Sequence, residues 1–197
     1  MSFSYEHYKK TCKDFINAGY EFCSLEKRSS RRVYMVHDCD FFLEQAVTLA
    51  KHEHQIGIKS TYFVRLGARE YNLLNPFYKK MVHEIIDFGH DVGLHYEKIF
   101  DQTDIAYNIC LLSKILKYPV RYFNVHEPVR TGIDFKNNTS KSNRAWNSPF
   151  FNTVKYISDS GGRWREGCFS KHINGYSELL INTHPVWWFD STPTENY

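Results

Sequence analysis

Six short apolar runs alternate along this chain with segments of helical periodicity, and that alternation constrains the fold more than any other feature. Strands separated by helices imply a mostly parallel sheet joined by right-handed crossovers. The most informative run is Arg31 to Asp40, RRVYMVHDCD. Val33, Tyr34, Met35 and Val36 read as a buried strand, which continues directly into His37, Asp38, Cys39 and Asp40. Asp38 and Asp40 are two residues apart, so on extended backbone both project to one side. Paired carboxylates repel unless a cation or a shared proton relieves them. Asp40 also stands where it would cap a following helix, a role aspartate favours. Capping accounts for one aspartate and leaves Asp38 and His37 without a task.

The remaining elements follow in order. Residues 4 to 19 have a helical face of Tyr5, Tyr8, Cys12 and either Phe15 or Ile16, ending at Gly19. A second helix, 41 to 55, carries Leu43, Ala46, Val47 and Ala50. Asn75-Pro76 opens a third, with Phe77, Met81, Ile85 and Phe88 as its stripe and Gly89 at its end. A fourth, 103 to 117, places Ile105, Ile109, Leu112 and Leu116 in register. Between them lie strands at 59–66, 91–95, about 120–126, 153–159 and 178–184. Five of the six strands finish on a polar side chain: Asp38/Asp40, His95, His126, Asp159 and His184. One histidine at a strand end is unremarkable, but three among ten, together with carboxylates, point to one shared site. In barrels of alternating strands and helices the site lies at that end.

At 197 residues the chain reads as one domain, 1–197, large enough to bury a core without disulfides. Residues 1–30 form a lead-in helix and basic linker, and 129–153 a long polar loop over the site. Fourteen Tyr, fifteen Phe and four Trp suit a filled core and also a carbohydrate-handling surface. The net charge of +3 is scattered, so nucleic acid is not an expected partner. No run reaches transmembrane length and none resembles a secretion signal. Five cysteines without a CxxC pair point to a reducing compartment, so a cytoplasmic protein is expected. The oligomeric state is left open.

Carboxylates and imidazoles together make a zinc-type ligand set, and three protein ligands leave a position open for water. A free carboxylate beside such an ion takes the water's proton, and a histidine opposite protonates a leaving nitrogen. The chemistry expected is metal-assisted hydrolysis of an amide or ester.

HDCD after its strand, IKSTYFV, GHDVGLHYE, VHEP, YISDSGGRW and LLINTHP, in this order, resemble the polysaccharide deacetylase (NodB-homology, carbohydrate esterase family four) superfamily. The closest likeness is to its His-Asp-x-Asp branch, found with surface-polysaccharide biosynthesis, over about residue 10 to the C-terminus. The resemblance implies an α/β fold, a distorted, incomplete (β/α) barrel. It also implies Zn2+ or another divalent metal, and removal of acetyl groups from sugars. By the same resemblance Asp38 is the base and Asp40 a metal ligand, with these two roles exchangeable. His95 is a second ligand. The family's next ligand position holds Ile99, and His126 is the substitute, at the end of the neighbouring strand where the family usually has arginine. His184 matches the general acid. Asp159 and Trp164 match the motif that orients that histidine and lines the site, and are assigned to substrate binding. Arg130 contacts substrate or a carboxylate, or is simply a solvated loop residue. His37 is expected to support an aspartate, and His90 to be structural. The substrate implied is an N-acylated sugar of the surface-polysaccharide precursor kind. The alternatives are a small cyclic amide, or a degenerate sugar-binding protein of the same fold that has lost the ligand at Ile99.

Overall fold

The computed structural model of the chain describes residues 3–27, 30–97, 105–127 and 154–190. Seven strands form one sheet: β1 (Glu21–Phe22), β2 (Arg32–Cys39), β3 (Ser60–Val64), β4 (Asp91–Tyr96), β5 (Phe123–Val125), β6 (Lys155–Ser158) and β7 (Glu178–Thr183). Four helices accompany them: α1 (Tyr5–Asn17), α2 (Leu43–Gln55), α3 (Pro76–Asp87) and α4 (Ile105–Leu116). The order across the sheet is β5-β4-β3-β2-β7-β6, with β1 beside the start of β2. Every pairing is parallel. The parallel pairing is what strands that each return through a crossover require, and the sheet curls into a half barrel.

Strand side chains alternate between two faces of this curl. On the concave side Tyr34, Val36, Phe63, Tyr122 and Leu180 form one apolar cluster. On the other side Tyr62, Val64, Val92 and Leu94 meet α2, α3 and α4, while Val33, Met35, Leu179 and Ile181 meet α1 and its neighbours. The Phe63 ring lies where a side chain on Gly93 would stand, 2.5 Å from the position a Cβ would take. A glycine in β4 therefore makes room for the aromatic filling of the concave core.

The expected helices are present with shifted edges. α1 opens on Ser4, whose hydroxyl accepts from the His7 amide, and it buries Phe15 fully while Ile16 stays 41% exposed. It is part of the core rather than a mere lead-in, because Tyr8, Cys12 and Phe15 pack beside Trp188 and Phe169. α3 buries Val82 and Ile85, and Phe77, expected inside, is 57% exposed. Large residues mark two overlapping faces of that helix, and the narrower face of Val82 and Ile85 meets the sheet. β1 and the 3-10 turns at Phe169–His172 and Pro185–Trp187 carry no periodicity and were not expected from the sequence. The 129–153 loop, with Arg130, and residue Ile99 lie outside the described residues. No helix among the described residues is long and apolar enough to cross a membrane.

Candidate metal centre

The C-terminal ends of β5, β4, β3, β2 and β7 lie side by side in that order: His95 is level with Asn124, Cys39 with Val64, and His37 with Thr183. The polar residues that close these strands therefore meet. Asp40 is not the cap of α2; that position is Phe42, with no side-chain cap bond. Its carboxylate is free to turn into the site. The turn is held in place because Tyr71 donates to the Cys39 carbonyl at 2.7 Å and Arg65 Nη1 donates to the Asp40 carbonyl at 2.9 Å. Arg65 is itself buried and paired with Glu97 through Nη2 at 2.7 Å and Nε at 3.2 Å.

Asp40 Oδ1 lies 2.9 Å from His95 Nε2 and 3.0 Å from His126 Nδ1, and those two nitrogens are 3.0 Å apart. Oδ1 is buried, yet neither imidazole contact has the angle of a proper hydrogen bond. Three potential ligand atoms crowd one point: the two imidazole nitrogens are within hydrogen-bond reach of each other, and the buried Oδ1 is left without a hydrogen-bond partner. One carboxylate oxygen and two imidazole nitrogens are a donor set suited to zinc, and they leave further positions for substrate or water. The residues present therefore fit a divalent cation. Burial disfavours the charge on Asp40, but the close imidazoles of His126 and His95 and the charge of His184 outweigh it and hold its carboxyl far below the usual range. Burial works against a charged His95 as well, and the facing Asp38 and Asp40 outweigh it and push its pKa up.

Asp38 stands beside this triangle without joining it. Its Oδ2 accepts from Asn182 at 2.8 Å and its Oδ1 from Asn124. His184 closes the other side, with Nε2 3.7 Å from both Asp38 Oδ2 and Asp40 Oδ2. Asp159 holds it, accepting on Oδ1 from the His184 amide at 3.0 Å and its ring Nδ1 at 2.7 Å. Trp188 donates to the other Asp159 oxygen at 3.1 Å. Burial disfavours an imidazolium at His184, but the bond and charge of Asp159, with Asp38 and Asp40 behind, lift its pKa to about 9.

The structure thus brings together Asp38, Asp40, His95, His126 and His184. It gives Asp159 a different place from substrate binding: the residue is fully buried and both oxygens are committed to His184 and Trp188. Trp164 packs on Phe169 in the core, ring centroids 5.4 Å apart, and the indole that supports Asp159 is that of Trp188. His37, next to Asp38 on a strand, necessarily points to the opposite face. Its partners there are Thr183 Oγ1 at 2.7 Å and the buried Glu53 at 3.0 Å, not a site aspartate. His90 bridges the Ser60 amide and the Ala50 carbonyl, a structural placement.

The residues that went unnoticed in the sequence are Arg65, Asn124, Asn182 and Trp188. Two of them carried a signal. Asn124 and Asn182 each stand two residues before a site histidine, in NVH and NTH, as Asp38 stands before Asp40 in DCD. That spacing puts both members of each pair on the concave face. No protein-family model matches the chain, and no curated protein matches it.

Proposed function

We propose that this protein is a metal-dependent hydrolase of the polysaccharide deacetylase type, removing an acetyl or similar acyl group from an N-acylated sugar. The observation that carries the reading is a three-donor triangle, Asp40, His95 and His126, flanked by a carboxylate held by two amides and by a histidine backed by a buried aspartate. The acyl-sugar substrate rests on the resemblance of six motifs in order. Asp40, His95 and His126 would hold a divalent cation, which would supply Lewis-acid polarisation and make water more acidic at neutral pH.

The chain's own groups do the rest. Asp38, its carboxylate oriented by Asn124 and Asn182, takes the proton of the attacking water. His184, kept protonated at neutral pH, presents Nε2 toward the same space and gives a proton to the departing nitrogen. Asp159 fixes which ring nitrogen of His184 faces the substrate. The donor set is complete without residue 99, so the geometry favours an enzyme over a degenerate binding protein.

The test is a panel of N-acetyl sugars and nucleotide sugars, with cyclic amides as controls, assayed with zinc-loaded protein and its Asp38→Asn variant. Acetate release that falls about 10²- to 10⁴-fold in the variant, with zinc retained, is expected. Turnover of cyclic amides alone replaces the sugar substrate; turnover unchanged in Asp38→Asn removes the base.

A further inference from the structure

Asp38 and His95 have separate tasks in the reading above, yet one side chain touches both. Asn124 stands opposite His95 in the β4–β5 ladder, and it is 1% exposed, so water does not compete for its carboxamide. His95 Nδ1 and Asp38 Oδ1 are 3.8 Å apart, too far to bond directly. The Asn124 carboxamide spans that gap, with Oδ1 2.5 Å from His95 Nδ1 and Nδ2 bonded to Asp38 Oδ1.

The direction of these bonds is determined by chemistry. A carboxylate only accepts, so the amide must turn its NH2 toward Asp38. Its oxygen then faces His95, and an amide oxygen only accepts. The proton between them therefore belongs to His95 Nδ1. With Nδ1 carrying its proton, the lone pair of neutral His95 is on Nε2, the atom that faces Asp40 and His126. The two-sided chemistry of Asn124 thus selects a His95 tautomer fitted for metal ligation. Asn182 provides the contrast. It donates to Asp38 Oδ2 and lies near Tyr156, with no bond to His95.

We propose that Asn124 is a positioning residue shared by the metal ligand and the base, setting the tautomer of His95 with its oxygen and the orientation of Asp38 with its nitrogen. This rests on the metal-dependent reading of the site. It goes beyond that reading by coupling the two groups: one substitution acts on metal affinity and on proton transfer, and chemically chosen substitutions separate the two. Partners of this kind typically change metal affinity by about 10- to 100-fold when removed.

Zinc(II) affinity is measured by competition with a chromophoric chelator for wild type, Asn124→Leu, Asn124→Asp and Asn182→Leu. The histidine ring nitrogens of the zinc-loaded proteins are assigned by two-bond 15N–1H NMR. Asn124→Leu, which removes both bonds, is expected to lose zinc affinity about 10- to 100-fold. Asn182→Leu is expected to bind zinc as wild type does. Asn124→Asp keeps an acceptor for His95 and sets a carboxylate against Asp38. It is expected to hold zinc at least as tightly as wild type, with His95 still protonated at Nδ1, while turnover at saturating zinc falls as in Asn182→Leu. Should Asn124→Leu not fold, the Asn124→Asp and Asn182→Leu pair carries the same contrast. Zinc bound by wild type and equally by Asn124→Leu, or a wild-type His95 protonated at Nε2, overturns the proposal and leaves the metal centre standing. No zinc in wild type overturns both.

Discussion

Glu53 offers a quantitative test of how the fold supports its site. It lies on the buried stripe of α2 with Leu43, Ala46, Leu49 and Ala50, and it is fully buried. Tyr8 donates to its Oε1 at 2.5 Å and Tyr62 to its Oε2 at 2.7 Å, while His37 Nε2 is 3.0 Å from Oε1. This one carboxylate ties α1, α2, β2 and β3 together behind the site. Burial alone would raise its pKa, but the charge and hydrogen bond of His37, with His90 and Tyr8, take it from 4.5 down to about 2. At about 1.36 kcal/mol per pH unit, that difference corresponds to about 3 kcal/mol of stability. A carboxyl whose folded pKa is depressed contributes this above the unfolded pKa and loses it as pH falls through the folded one. The contribution is therefore complete at pH 7 and gone below pH about 2. Glu53→Gln keeps the volume and removes the charge. At pH 7 it should cost about 3 kcal/mol, or roughly 6–12 °C in Tm for a chain of this size. The gap between wild type and variant should narrow to about half by pH 3. Thermal melts of metal-free protein at both pH values measure it. A variant as stable as wild type at pH 7, or a gap that does not change with pH, refutes the reasoning.

Two other predictions concern the core and the metal. Leu112 is fully buried against the sheet and Ile109 only partly, so Leu112→Ala should cost about 2–5 kcal/mol and Ile109→Ala less, as urea denaturation would record. An equal loss at both positions contradicts the packing of α4. Burial opposes a charged His95, but Asp38 and Asp40 outweigh it and raise its pKa, so zinc binding competes with a proton held more tightly than on a free imidazole. Zinc affinity should climb as pH rises through neutrality, and calorimetry in buffers of different ionisation enthalpy should show proton release. Binding heats independent of buffer rule this out.

Much of this arrangement was legible in the residues because it depends on short-range periodicity. The apolar runs before Asp38, His95 and His184 read as strands, and the parallel sheet follows from their alternation with helices, while its curl into a half barrel was implied only by the resemblance. The meeting of Asp38, Asp40, His95, His126 and His184 followed from their shared place at strand ends. What escaped the sequence depends on direction across the sheet. His37 adjoins Asp38 yet faces Glu53, since neighbours on a strand point opposite ways. Glu53 was not singled out, because helical spacing marks a face and cannot show that Tyr8 and Tyr62 wait there with hydroxyls. Trp188 replaces Trp164 as the support of Asp159 because a 3-10 turn after His184 swings its indole inward, and such turns carry no periodic mark. The α3 face was misjudged for a similar reason: Phe77 is large and apolar but lies off the stripe that Val82 and Ile85 bury.

The most direct measurement is zinc content per chain by elemental analysis of wild type, His95→Ala and His126→Ala, each purified without added metal and then offered one equivalent. Near one zinc is expected in wild type and its loss in both variants, since Asp40, His95 and His126 each contribute a donor atom to the triangle. A wild-type chain that takes up no zinc, or a His126→Ala chain that holds it as tightly as wild type, contradicts this expectation.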